Sequence, residues 1–221
     1  MPRYPMPLVR VEIVLQTLIQ SRLSTLLIRR AEDPFKGLWA LPGGVIRVDL
    51  DASLDASALR VLQERLHIAP DGLRQLTAIG SSGRDPRAPH AWGLSIVYRG
   101  MVPEGTVLPK AGKRIDEWSW FPVDELPAAR RFAFDHGALV EQATLDTRTE
   151  FYDLHFPQGL IPPKFTLTEL QKICEDVLGH RIDKSSFRRK LMDREIVTPI
   201  AGAIQSGLRN RPAALYSLSK I

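Results

Sequence analysis

The sequence is short of the residues that would staple or ligate it. One cysteine, Cys174, stands alone among 221 residues, so no internal disulfide forms and a reducing compartment is expected. No Cys and His residues fall at zinc-ligand spacing, which excludes a structural zinc site. No run of 18 apolar residues occurs, and the proline-broken start Met1–Pro7 has no apolar segment behind a basic one, so a cytoplasmic protein with no membrane partner is expected. Internal repeats and low-complexity tracts are missing too. What is present is an ordinary globular balance, 44% hydrophobic and 25% charged residues, in a chain long enough for two domains with their own cores.

The net charge of +5 is unevenly placed. Residues 1–163 carry nineteen basic and nineteen acidic side chains, whereas Lys164–Ile221 carries eleven basic and six acidic ones. The whole excess therefore lies at the C-terminal end. A basic patch on a small unit is the electrostatic footprint of a polyanion partner, although a solvated basic face accounts for the same count.

Apolar periodicity divides the chain. The runs 9–19 and 25–28 alternate as a β-hairpin about the polar Ser21–Ser24 connection, and a Pro- and Gly-rich loop follows over 33–44. Leu54, Ala58, Leu59, Leu62 and Leu66 share one face of a helix over 54–66. Strands are predicted over 73–81, 94–101 and 117–122, and a helix over 134–149. Three prolines and a glycine without period mark 151–163 as a linker between domains at 1–150 and 164–221. Thr166 and Glu169 then form a capping-box signature for a helix that stops at Gly179, and Asp183 caps a second helix over 184–194. Two short helices about a tight turn, followed by strands at 196–200 and 214–218, give a winged helix-turn-helix layout.

The second of these helices carries Lys184, Ser185, Ser186, Arg188, Arg189 and Lys190, and the loop between the two strands holds Arg209 and Arg211. Phe187 and Leu191, four apart, fix its buried face. Cations and short hydroxyl side chains on the other faces suit phosphate and base-edge contacts to duplex DNA. A helical module that recognises protein has a similar composition.

In the first domain, Pro34–Gly44 resembles the approach to a Nudix box, and Gly83–Pro86 and Phe132–His136 resemble the Nudix proteins that handle ADP-ribose. The Nudix pattern ends in Arg-Glu-aliphatic-any-Glu-Glu-any-Gly-aliphatic. The matching stretch keeps Arg60, Leu62, Glu64 and Ile68 and replaces the first Glu by Val61, the last Glu by Arg65 and the Gly by His67. The upstream Glu of the pattern has no match. Positions 61, 64 and 65 share a helix face, so the face that binds Mg²⁺ in the enzymes keeps one carboxylate of three and gains a cation. Asp49, Asp51 and Asp55 on the neighbouring loop are the replacement oxygens available, and a solvated loop is their plainer reading.

What survives is equipment for binding. The Gly43–Gly44 pair permits close backbone approach, and Arg30, Arg60 and Arg84 suit phosphate oxygens. The resemblance adds Glu64, which Arg60 orients, and Asp85 of the Gly83–Pro86 motif. Trp39, Trp92, Trp118 and Trp120 are read as core, and His136 as structural.

Residues 165–172, 183–190 and 211–216 resemble the C-terminal winged helix of the Nudix-related transcriptional regulators of NAD metabolism, the NrtR family. The resemblance implies an α+β fold: a Nudix α/β/α sandwich with a mixed sheet, then a winged helix-turn-helix domain. It implies a dimeric repressor on palindromic operator DNA, with ADP-ribose or a related nucleotide as effector, no required cofactor or metal, and no catalytic residues. Two other readings stay open. One is a Mg²⁺-dependent ADP-ribose pyrophosphatase with an accessory domain; the other is a regulator of a different pathway, such as sugar utilisation.

Overall fold

The structure is a computed structural model that describes residues 6–88, 92–106, 115–157, 160–207 and 210–219, with backbone alone over 205–207 and 210–212. The α+β architecture expected from sequence is what it contains.

Strand β1 (Leu8–Ile19) is the spine of a seven-stranded mixed sheet with β2 (Arg22–Arg30), β3 (Trp39–Ala40), β4 (Gly43–Val45), β5 (Arg74–Ser82), β6 (Trp92–Met101) and β7 (Ile115–Pro122). β1 runs parallel to β6 and antiparallel to β2 and β4. Its side chains alternate between faces. Val11, Ile13 and Leu15 pack with Ala58, Val61, Leu62 and Leu66 of helix α1 (Leu54–Leu66). Val14 packs on the other face with Leu139, Val140 and Ala143 of helix α2 (His136–Tyr152), where Gln16 bonds Thr144 and Thr147.

β1 and β2 pair only beside their shared turn, Gln16–Ile19 against Arg22–Thr25. That turn is Gln20–Ser21, both with positive φ, which suits a two-residue hairpin and places it just ahead of the polar run read from the sequence. Beyond the paired turn the two strands part. β4 takes up the start of β1 and β3 the end of β2, two short strands inside a stretch read as loop. The gap this opens is lined by Arg10 of β1, Arg30 of β2 and the glycines of β4.

In the C-terminal part, α3 (Leu167–Leu178) has the reciprocal Thr166–Glu169 capping box and ends on Gly179 at φ 78. α4 (Lys184–Asp193) starts where Asp183 accepts from the Ser186 N–H. The Glu175 carboxylate accepts from the Ile182 N–H, the Gln171 amide and Arg181, which pins the turn between the helices. A hairpin of β8 (Val197–Gly207) and β9 (Asn210–Leu218) follows, longer than the periodicity of 196–200 and 214–218 indicated.

The stretch over 151–163 is more than a spacer. Phe151 and Tyr152 form the last turn of α2, and buried Phe151 and Leu154 share one apolar cluster with Leu23 and Met101 on one side and Phe165, Leu170, Cys174, Phe187 and Leu191 on the other. Arg148 of α2 donates to the Val177 carbonyl at the end of α3 and to Asp124, and Lys172 of α3 donates to Ser21 in the β1–β2 turn. Two helical segments that share one apolar core and these polar ties move as a unit or pay a cavity-sized cost.

Candidate functional site

A cleft of about 440 Å³ lies where β1 and β2 diverge, walled by α1 on one side and by the 83–88 loop and the start of α2 on the other. Arg10, Arg30, Arg47, Arg60, Arg65 and Arg87 line it, against Glu32, Asp33 and Glu64. Such a lining favours an anionic ligand.

The α1 wall is set by one helix face. Arg60 reaches Asp51 with both Nε and Nη2, at 2.6 and 2.8 Å, and Glu64 with Nη1 at 3.2 Å. Arg47 reaches the other Glu64 oxygen at 3.1 Å. The Arg60 hydrogen bonds hold the Asp51 carboxyl far below its ordinary range. Asp55 accepts from the Tyr98 hydroxyl. Val61 is 1% exposed, and its Cγ2 would lie 2.8 Å from a Cβ placed on Gly44. His67 closes the helix in left-handed backbone, φ 56, where the glycine of the Nudix pattern would sit without strain.

These donors do not fit a divalent metal. Glu64 carries two guanidinium partners, Asp51 is engaged by Arg60, Val61 offers no oxygen and Arg65 brings a charge of the wrong sign. Among the described residues no three His, Cys, Asp or Glu side chains are grouped to hold a metal ion. A hard cation with six oxygen ligands would have to displace Arg47 and Arg60 first.

The opposite wall carries the cations that the sequence reading overlooked. Arg10 Nε donates to Glu12 at 2.8 Å, and Arg87 Nε and Nη2 donate to the two oxygens of Asp85 at 2.9 and 2.6 Å. Burial opposes ionisation of Asp85, yet the bonds from Arg87 keep its carboxyl below the usual range. Arg30 and Arg87 each lie 5.3 Å from the Phe134 ring centroid. Burial, then the charges of Arg87 and Arg10, lower the Arg30 pKa.

His136 sits beneath this wall, fully buried, its Nδ1 accepting from the Leu41 N–H at 2.9 Å. Nε2 therefore carries the hydrogen in the neutral ring, 3.9 Å from Glu12. Burial pushes its pKa down to about 4. An unfolded chain binds that proton near pH 6.5, so the unfolded state holds more protons between pH 4 and 6.5 and stability falls as pH drops through that window. His136→Gln is expected to flatten this part of the stability–pH curve by up to about 3 kcal/mol, read from urea midpoints at pH 4.5 and 7.5. An unchanged slope would show that His136 does not titrate as its burial requires.

Of the residues singled out from sequence, Arg30, Gly43, Gly44, Arg60 and Glu64 meet in the cleft. The glycines stand in β4 rather than in a turn, and a Cβ on Gly43 would lie 1.8 Å from Glu12 Oε2. Their lack of side chains makes room for Glu12 and Val61. Arg84 is turned away: its side chain is 6% exposed, bidentate to Asp135 just ahead of α2 and bonded to Ser95. Asp85 is buried behind Arg87 and reaches the cleft only through it. Arg10 and Arg87 were missed because a polar residue in an apolar strand and an arginine just past the end of a motif carry no spacing signal.

On α4 the structure separates the candidates. Lys184, Ser185 and Arg189 stand exposed. Arg188 is half-buried, donates to Thr168 of α3, and has its Nε buried without a hydrogen-bond partner. Ser186 and Lys190 face a crevice of about 230 Å³ shared with Tyr152 and His180. Arg211 is in β9, and Arg209 lies outside the described residues.

Comparison with known proteins matches residues 10–143 to the NUDIX domain and residues 157–218 to the NrtR DNA-binding winged helix domain. The chain is 35% identical over 215 residues to the ADPR responsive transcriptional repressor NtrR of Acinetobacter baylyi, covering 96% of this chain and 82% of that protein. Shewanella oneidensis NrtR in complex with a 27mer DNA is similar in structure, with a TM-score of 0.72 at 31% identity over 96% of this chain and 93% of that one. The NUDIX domain of the same NrtR complexed with ADP ribose matches with a TM-score of 0.56 at 32% identity, over 65% of this chain and 90% of that one. A Nudix cleft joined through a shared core to an NrtR winged helix, in one chain with such a relative along nearly all its length, places this chain in the NrtR family.

Proposed function

We propose that this chain is an ADP-ribose-responsive transcriptional repressor of NAD-related genes, built from a sensing domain at 1–150, a joining segment at 151–163 and a DNA-binding domain at 164–221. It acts as a homodimer on operator DNA in the cytoplasm, with one α4 per half-site. ADP-ribose or a related nucleotide enters the arginine-lined cleft and favours an arrangement of the two winged helices that does not fit the operator. Equal affinity for both arrangements would shift nothing, so the effector must bind the released form more tightly. The observation that carries this reading is the pairing of an exposed basic α4 with a cleft lined by six arginines, in which Val61 and Arg65 stand on the helix face that holds carboxylates in Nudix enzymes. On the same ground the chain needs no metal or cofactor and is not a hydrolase.

The test is a gel-shift titration of the chain against operator DNA recovered by genomic footprinting. Added ADP-ribose is expected to weaken binding by about 5- to 150-fold, the usual range for coupled sites. DNA affinity that ADP-ribose leaves unchanged would remove the effector from the account, and no footprint at any site would remove the repressor.

A further inference from the structure

We infer that Arg10, Arg30 and Arg87 form an anion seat that takes a phosphate group through guanidinium contacts alone, so that inorganic pyrophosphate is itself a ligand of this protein. The inference deepens the effector reading above by naming where the phosphates go.

Three separate elements deliver these side chains to one end of the cleft: the start of β1, the end of β2 and the loop after β5. Each guanidinium is held from behind. Glu12 and Asp85, each 1% exposed, take the Nε edges of Arg10 and Arg87, and the Pro34 carbonyl takes Arg30 Nε at 2.7 Å. None of these bonds uses Nη1. Orientation is thus set by buried carboxylates for Arg10 and Arg87 and by a partly buried carbonyl for Arg30, and all three side chains line the cleft, which is how arginine serves planar, bidentate recognition of phosphate. Phe134 lies beside two of the three and keeps its backbone at φ 54, with Phe35 edge-on at 4.7 Å.

Electrostatics points to the same end. Three cations and the carboxylates of Glu12 and Asp85 meet there; burial, then the charges of Arg87 and Arg10, disfavour the charge on Arg30, and Glu12 and Asp85 favour it. Arg60 on the α1 wall by itself takes two carboxylates, Asp51 and Glu64. An arriving phosphate offsets the repulsion among the three guanidinium groups, of which Arg10 and Arg87 each hold one carboxylate, whereas on the α1 wall it meets a single Arg60 already engaged by two. Neutral His136, held by Leu41, closes the floor without adding charge.

The test is calorimetric titration of the whole chain with sodium pyrophosphate and, separately, with ADP-ribose, in EDTA and free of sulfate and phosphate. Saturable binding of pyrophosphate at one site per chain is expected. Arg87→Ala is expected to weaken both ligands roughly tenfold or more, the worth of one charge-assisted contact, and Arg87→Lys to restore part of it. Arg29→Ala removes the same charge from the neighbouring position, outside the cleft lining, and leaves both affinities unchanged. Thermal melting confirms that each variant is folded, and Arg87→Lys, which keeps a cation beside Asp85, replaces Arg87→Ala if that one is not. No pyrophosphate binding, or an equal loss in Arg29→Ala, overturns the seat. ADP-ribose bound equally well by wild type and Arg87→Ala overturns the seat and leaves the effector reading standing. Pyrophosphate bound in an Arg87-dependent way, with no ADP-ribose binding, keeps the seat and removes that reading.

Discussion

Reversing two charges on α4, Lys184→Glu together with Arg189→Glu, is expected to lower affinity for operator DNA by about 100-fold or more and to reduce the salt slope by about two. Both side chains stand exposed on the helix that Phe187 and Leu191 anchor, and neither has a part in the shared core. Duplex DNA carries a dense line of phosphates, and each cation that meets one releases a counterion. Two cations lost and two anions gained therefore act at every salt concentration, most strongly at low salt. The fold has no reason to suffer, because the Asp183 cap and the Ser186 N–H it binds are untouched. ADP-ribose affinity is expected to stay as it is, which separates this loss from misfolding. Binding within threefold of wild type, by fluorescence anisotropy at two salt concentrations, would place the DNA on another surface.

The contrast between α4 and the cleft shows what the sequence made legible. The extents of helices could be read closely: Leu54–Leu66 from its apolar period, although Leu54 and Leu59 stand exposed and Ser57 and Val61 join the buried face, and Leu167–Leu178 from Thr166, Glu169 and Gly179. In each case the signal is local, a 3.6-residue period or a cap that acts within one turn. β3 and β4 were not legible, since two or three residues are too few for an alternation and their pairing is decided by where β1 and β2 part. The cleft followed the same division. Arg60 and Glu64, four apart on one helix, were visible as a pair. Arg10 and Arg87 meet only because a strand and a distant loop converge, which no spacing records. Arg84, one place from Asp85, faces the opposite way because Asp135 is there to receive it. Neighbours in sequence diverge when their partners lie on different elements.

The join between the two parts was underestimated for a related reason. Prolines and a missing period do signal the end of regular structure, and 151–163 is largely irregular. Irregular backbone can still carry anchors, and Phe151 and Leu154 are buried against α3 and α4. The consequence for regulation is that α2, with His136 at its start lining the cleft and Phe151 in the core shared with α3 and α4, is a continuous rod of 17 residues between the cleft and the winged helix. Coupling of this kind needs two discrete packings of the same interface, each biased by one ligand.

The second large effect concerns metal. In a Nudix enzyme the α1 face would gather Mg²⁺, and removing the ion would abolish activity. Here the donors on that face are a valine, one doubly paired glutamate and an arginine, so chelation is expected to change nothing. The ligand's charge is met by guanidinium groups that are part of the chain, present at any metal concentration and pre-oriented by buried carboxylates. The affinity should instead fall steadily with added salt, as contacts between charged groups in a cleft open to solvent do.

One experiment bears on all of this: ADP-ribose titrated calorimetrically into the protein in EDTA and again in millimolar Mg²⁺, with AMP measured in the recovered cell contents. We predict equal dissociation constants in the two buffers and no AMP above the blank. Heat that appears only with Mg²⁺, with AMP formed at an ordinary enzyme rate above about 1 s⁻¹, would contradict the account and make the chain a hydrolase.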